Sequence, residues 1–146
     1  MNKKLSCILF IDDDEPTNFL NKMTTEQSGF TDRVEVFQSG QEALDYLSGP
    51  FPSPDLIFLD INMPAMDGWE FLDRYKELSR PNKADIVLVM LTTSLNPDDE
   101  IKTREIREVA GFENKPLLES RLEILLKKYF PNYFPAVTNE DSLSDG

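Results

Sequence analysis

Residues 8–15 read ILFIDDDE: four apolar side chains, Ile8 to Ile11, broken off by Asp12, Asp13, Asp14 and Glu15. A short apolar run without alternation fits a strand buried on both faces, as in a parallel sheet covered by helices. Its polar end marks the carboxyl edge of the strand, where open parallel sheets bind ligands. The pattern recurs. Residues 56–64, LIFLDINMP, break at Asp60, and residues 87–94, VLVMLTTS, break at Thr92, Thr93 and Ser94. A fourth stretch, NKP, sets Lys115 directly before Pro116. In an open parallel sheet all such strand ends lie on one edge. Asp12, Asp13, Asp60 and Thr92 therefore converge there, with Lys115 in reach, and compose a cation and phosphoryl site.

The segments between these runs read as helices. Glu15-Pro16 opens the first, which carries Phe19, Leu20 and Met23 on one face and stops near Gly29. Residues 33–37 alternate polar and apolar side chains, as an edge strand does. Ser39 and Glu42 form a capping box for a short helix holding Leu44 and Leu47, and Asp67 with Glu70 does the same for one holding Trp69, Leu72 and Tyr75. Residues 86–91 form the most apolar run and read as a central strand. Asn96-Pro97 opens a helix, with Asp98, Asp99 and Glu100 favouring its positive end, that runs to about Gly111. A weak strand over residues 112–114 and an amphipathic helix over 118–129 complete the series. Strand then helix, five times over, implies a parallel sheet with helices on both faces. Residues 131–146 are poor in apolar side chains and acidic toward the end, so a disordered tail is expected.

Bulk properties narrow the function. A length of 146 residues fits one domain, and a formal charge of −12 without any histidine argues against nucleic acid or an anionic membrane as the main partner. Without histidine, chemistry must run on carboxylate, hydroxyl and lysine. Cys7, the only cysteine, cannot form an internal disulfide and reads as a small core residue. The basic start, Met1 to Lys4, is followed by too short an apolar stretch for a signal peptide or membrane span, so a cytoplasmic protein is expected.

Two or three carboxylates held together repel one another unless a cation sits between them. Mg²⁺ suits such a site, since it prefers oxygen ligands and is held by one or two carboxylates plus a phosphate. An aspartate can also be the nucleophile, giving an acyl phosphate, with Lys115 and the Thr92 hydroxyl on the phosphoryl oxygens.

An acid pair after the first strand, Asp-x-x-Met-Pro after the third, Thr after the fourth and Lys-Pro after the fifth together resemble the response-regulator receiver domain of two-component signalling. The resemblance covers residues 5–130. It implies a flavodoxin-like α/β fold, a doubly wound five-stranded parallel sheet in the order 2-1-3-4-5. It further implies that Asp60 accepts a phosphoryl group from a histidine kinase or histidine phosphotransfer protein, forming an aspartyl phosphate. Mg²⁺ would be bound directly by Asp13, mainly through water by Asp12, and by Asp60 and the backbone carbonyl of Asn62. Thr92 and Phe112 resemble the switch pair, and Lys115 the phosphoryl contact, with a cis bond before Pro116. Such a protein is a phosphoacceptor and no enzyme beyond its own phosphorylation and dephosphorylation. With no basic second domain following, the chain is expected to act alone on a downstream protein partner. Its signalling surface would be the fourth helix, fifth strand and fifth helix, offering Arg104, Arg107, Glu108, Lys127 and Lys128, and that face could also form a homodimer.

Each assignment has a plainer counterpart. Asp14 suits a helix cap better than a ligand. Thr93 and Ser94 suit loop hydroxyls, and Met63, Pro64 and Gly68 suit loop shaping. Two departures from the family pattern stand out: Glu113 and Asn114 fall in the fifth strand, and Phe112 lacks the hydroxyl of a tyrosine. Two other readings compete. A haloacid-dehalogenase-type phosphatase would use Asp12 as nucleophile and Asp14 as acid and base, but it needs a further acidic pair after Lys115 and leaves Asp60 idle. A pseudo-receiver would bind partners without being phosphorylated.

Overall fold

The computed structural model of the chain describes residues 4–79, 85–94 and 96–134. Strand and helix alternate throughout: β1 (Leu5–Ile11), α1 (Glu15–Ser28), β2 (Thr31–Phe37), α2 (Gly40–Ser48), β3 (Leu56–Asp60), α3 (Gly68–Lys76), β4 (Val87–Thr92), α4 (Pro97–Arg104), β5 (Val109–Asn114) and α5 (Glu119–Tyr129). The five strands pair in parallel in the order β2-β1-β3-β4-β5, the order implied by the resemblance. β3 takes the middle place and the more apolar β4 lies beside it.

The unbroken apolar runs are explained by the sheet's two covered faces. Successive side chains of a strand point to opposite sides. Leu9, Ile11, Ile57, Leu59, Leu88 and Met90 pack on one side with Leu44 and Leu47 of α2 and Phe71, Leu72 and Tyr75 of α3. Ile8, Phe10, Leu56, Phe58, Val89 and Leu91 pack on the other with Leu122, Leu125 and Leu126 of α5. Phe10 and Phe58 stack across β1 and β3, with ring centroids 5.1 Å apart. Cys7 is buried as well, as read from the sequence, and burial pushes its thiol up. Phe134, beyond α5, is also buried and meets Phe30 edge-on. The rest of the expected tail, residues 135–146, lies outside the described residues.

Three expectations need correction. α1 begins and ends where the sequence says, capped by the Asp14 side chain and closed at Gly29 with φ of 75°. Its apolar stripe does lie on one face, but that face does not turn to the core as such a stripe ordinarily does. Phe19, Leu20 and Met23 are exposed, and the inward positions are Asn18, Asn21 and Thr25. Both stripes exist at helical spacing, but the cap at Asp14 and the bonds made by Asn18 fix the rotation of the helix in favour of the polar one. Second, α4 ends at Arg104, well short of Gly111, because a succession of turns closes it: Glu105 N–H bonds the Lys102 carbonyl and Ile106 N–H the Thr103 carbonyl. Third, β5 starts at Val109, which pairs with Leu88, and a register shift follows before Val89 meets Gly111. Gly111 is there for space rather than to stop a helix, since a Cβ on it would lie 2.3 Å from the Tyr129 hydroxyl.

Candidate functional site

The carboxyl edge of the sheet gathers the residues singled out from the sequence. Asp12 follows β1, Asp60 ends β3, Thr92 ends β4 and Lys115 follows β5. Asp12 and Asp60 are almost fully buried, at 3% and 5% exposure, whereas Asp13 is exposed. Carboxylate oxygens of Asp12, Asp13 and Asp60 all lie within 4.8 Å of one another. The Lys115 ammonium bridges the buried pair, donating to Asp12 Oδ2 and lying 3.0 Å from Asp60 Oδ1. Lys115 is aimed by its own backbone, whose N–H bonds the Thr92 carbonyl at 2.7 Å, and the bond that follows it, to Pro116, is cis.

The electrostatics follow from burial. Desolvation, followed by the charge on Asp12, pushes Asp60 from the ordinary 3.8 up to about 6 against the pull of the Lys115 hydrogen bond. Burial works against the charge on Lys115, but its hydrogen bonds to Asp12 and Asp60 outweigh that and raise it overall. One ammonium therefore does not fully neutralise the carboxylates. A divalent cation fits this donor set: hard oxygen ligands, excess negative charge and an open side at exposed Asp13.

Backbone packing determines how Asp60 is presented. Gly68 N–H bonds the Ile61 carbonyl at 2.8 Å, and a Cβ on Gly68 would lie 2.9 Å from the Asp60 carbonyl oxygen. Only glycine lets the start of α3 abut the Asp60 backbone this closely. In the intervening loop Asn62 is exposed, and Ala65 takes a left-handed φ of 66°, which costs a residue with a Cβ about 1 kcal/mol.

The remaining predicted residues lie at or near this edge. Thr92 is buried, and its hydroxyl bonds the backbone of Ser94, donating to the carbonyl at 3.1 Å and accepting from the N–H at 3.2 Å. Phe112 is half-buried, pairs with Met90 and packs against the core on the α2–α3 side. It also borders a cleft of about 250 Å³ lined by Glu100, Thr103 and Arg104 of α4 and Lys128 and Tyr129 of α5. Asp14 stands outside the cluster. It accepts the Thr17 N–H and hydroxyl, and those bonds hold its carboxyl below the usual range. The irregular fifth strand is tied outward by Glu113, which takes both arms of the Arg121 guanidinium at 2.8 and 2.9 Å.

Sequence reasoning missed Asn18, which is 3% exposed and donates from Nδ2 to the Asp12 carbonyl at 2.7 Å. The signal was present in the spacing of Asn18, Asn21 and Thr25, a polar stripe at helical period.

Comparison with known proteins agrees with this geometry. The chain matches the response regulator receiver domain family over residues 8–127. It is 34% identical over 114 residues to the probable methanogenesis regulatory protein FilR2 of Methanothrix harundinacea, covering 75% of this chain and 72% of that one. A solved two-component response regulator from Cytophaga hutchinsonii superposes with a TM-score of 0.78 at 32% identity, over 87% of this chain and 98% of the other. The Mn²⁺-bound form of response regulator Rcp1 superposes with a TM-score of 0.66 at 29% identity, over 91% and 97%.

Proposed function

The chain belongs to the response regulator receiver domain family, and from that premise we propose that Asp60 is its phosphoacceptor. A carboxylate oxygen of Asp60 attacks the phosphorus of a phosphohistidine on a histidine kinase or phosphotransfer protein. The new P–O bond makes an acyl phosphate while the N–P bond breaks, and the departing imidazole keeps the electron pair and takes up a proton from solvent. The observation that carries this reading is the burial of Asp60 within 3.0 Å of the Lys115 ammonium and inside a three-carboxylate cluster.

Asp12, Asp13, Asp60 and the carbonyl of Asn62 would hold Mg²⁺. Bound there, the ion would lower the proton affinity of Asp60 and neutralise the phosphoryl oxygens. Lys115 would move from its carboxylate partners onto a phosphoryl oxygen. The Thr92 hydroxyl, now turned to Ser94, would release that loop and donate to another oxygen. Phe112 would then turn inward and remodel the face formed by α4, β5 and α5, where a downstream protein, or a second copy of the chain, would bind. Asp14 supports this reading over a phosphatase that starts from Asp12, because its carboxylate is engaged in capping α1 through Thr17 and stands outside the Asp12–Asp13–Asp60 cluster.

The phosphodonor's seat is proposed at the apolar rim of the site. Leu20, Pro116, Leu117 and Leu118 line a groove of about 460 Å³ that reaches Lys115, and Phe19 stands exposed on the same helix as Leu20.

Incubation with Mg²⁺ and a small phosphodonor such as acetyl phosphate should give an acid-stable, hydroxylamine-labile adduct that Asp60→Asn abolishes. A label that survives loss of Asp60 and depends on Asp12 would overturn the assignment. No adduct with any donor would favour a binding module that works without phosphorylation. Light scattering with and without a phosphoryl mimic tests the homodimer, and a monomer in both states removes it.

A further inference from the structure

We infer that Asn18 is a positioning residue for the cation cradle, acting on Asp13 through the peptide that joins Asp12 to Asp13. This rests on the Mg²⁺ site proposed above.

The two acids of the β1–α1 turn are held very unequally. Asp12 is fastened at every polar group. Its N–H bonds the Phe37 carbonyl at 3.0 Å, Oδ1 accepts the Asp14 N–H at 2.9 Å, and Oδ2 accepts Lys115. Asp13 is exposed and makes no hydrogen bond or ion pair of its own among the described residues. What aims Asp13 is therefore the pair of peptide planes that flank it: the following one is held by the Asp14 N–H bond to Asp12 Oδ1, and the preceding one carries the Asp12 carbonyl. The Asp12 carbonyl, the Asp13 N–H and the Asp13 Cα lie in that one plane. Asn18 Nδ2 grips that carbonyl at 2.7 Å and reaches the Phe37 carbonyl at 3.4 Å, so α1, the end of β1 and the end of β2 are pinned at a single amide.

The Asn18 amide is kept at a cost. Its Oδ1 is buried and finds no protein partner among the described residues, and an acceptor left unpaired in the interior costs about 1–3 kcal/mol. An apolar side chain of similar volume would remove that orphan but take the Nδ2 donor from the Asp12 carbonyl, so what the asparagine secures is the peptide between the two acids. Thr25, two turns further along the same face, has the same kind of orphan, its Oγ1, but makes no bond to the acids. It supplies a matched control: the same helix face, a buried polar group, and no link to the cradle.

The test uses Mn²⁺ alone as the probe, with free ion counted by electron paramagnetic resonance and no phosphodonor present. Asn18→Leu and Asn18→Ala, both checked for cooperative unfolding, are expected to bind Mn²⁺ about 10–100-fold more weakly than the wild type, the usual effect of removing a group that orients a ligand. Thr25→Val should stay within about twofold by the same reasoning. A role exercised through Asp13 has a further signature in a double-mutant cycle. In an Asp13→Asn background the Asn18 substitution should cost little more, while a general loosening of the fold would cost the same in both backgrounds. Folded Asn18 variants that keep wild-type affinity, or costs that simply add, overturn the inference and leave the proposed function standing. A wild type that binds no Mn²⁺ overturns both.

Discussion

Replacing Asp60 with asparagine should stabilise the ion-free protein, and the gain should depend on pH in a definite direction. Asp60 is pushed from 3.8 to about 6 by burial and by Asp12. The folded state therefore holds the Asp60 proton more tightly than the unfolded chain does. Below 3.8 the carboxyl is neutral in both states and costs nothing. As pH rises from 3.8 to 6 the unfolded chain gains the ionised form first, and stability is lost. Above 6 the full cost of the buried charge is present. Each pH unit between the two values is worth about 1.36 kcal/mol, so the cost approaches 3 kcal/mol as an upper figure. Asparagine has the same shape without the charge but gives up the 3.0 Å contact with Lys115, which keeps Asp12 as its partner. A net gain of about 2 kcal/mol at pH 8 is expected, or about 4–8 °C in Tm for a domain of this size. Urea unfolding in EDTA, at pH 4 and at pH 8, measures it: the variant should lead at pH 8, match the wild type at pH 4, and show an unchanged m-value. A variant less stable than the wild type at pH 8 would refute the reasoning, because the ion pair with Lys115 would then outweigh desolvation. An equal gain at both pH values would also refute it, since packing and not charge would be the cause. Added Mg²⁺ should stabilise the wild type more than the variant and narrow the difference.

Further substitutions probe the other parts. Lys115→Met should cut the rate of Asp60 labelling by acetyl phosphate about 10²–10³-fold, the usual effect of losing one group that stabilises developing charge; a rate within a few-fold of wild type would remove Lys115 from the chemistry. Gly111→Ala, which sets a Cβ 2.3 Å from the Tyr129 hydroxyl, should cost about 1–3 kcal/mol of stability by overpacking. Deleting that hydroxyl in a Gly111→Ala/Tyr129→Phe double variant should recover most of it, as urea unfolding will show. Phe19→Ser with Leu20→Ser should slow phosphotransfer from a protein donor about tenfold or more, the loss of two apolar contacts of about 1 kcal/mol each. Labelling by acetyl phosphate and the Tm should stay unchanged, and equal slowing with both donors would count against a docking role.

The parts of this protein most legible in its sequence were those where one residue type has only one physical use. Unbroken apolar runs such as ILFI and LIFL suit the inside of a two-faced sheet, so β1, β3 and β4 and their polar ends were legible from the order of residues. The capping residues Asp14, Ser39, Asp67 and Asn96 each sit where their side chains accept a backbone N–H of the following helix. What failed was any inference that needed to know what a face meets. Phe19, Leu20 and Met23 form a genuine stripe, yet periodicity says only that side chains share a face and not which way the face turns. The end of α4 was similarly hidden, because Gly111 looks like a helix stop unless one knows that Tyr129 lies against it. Asn18 was overlooked for a related reason: the polar stripe to which it belongs is legible at helical spacing, but not that the stripe turns inward to the carbonyls of Asp12 and Phe37.

The reversed facing of α1 bears on how the site is assembled. A helix that packs by burying leucines is held non-directionally and can slide or rotate at modest cost, since apolar contact depends on area rather than angle. α1 contributes no side chain to either apolar cluster. Near the acids it is held by directional bonds: Asp14 to its first turn, and Asn18 to the ends of β1 and β2. Hydrogen bonds weaken steeply with misalignment, so the start of α1 is fixed in angle as well as in place. The same arrangement leaves the apolar stripe of α1 free to face outward beside Lys115, and its polar stripe free to hold the Asp12–Asp13 turn. A helix with the ordinary facing could do neither, because its apolar side chains would be spent on the core. On this view the inverted stripe, unfavourable for stability when considered alone, is what allows one helix both to set the acid pair and to present a surface next to Lys115.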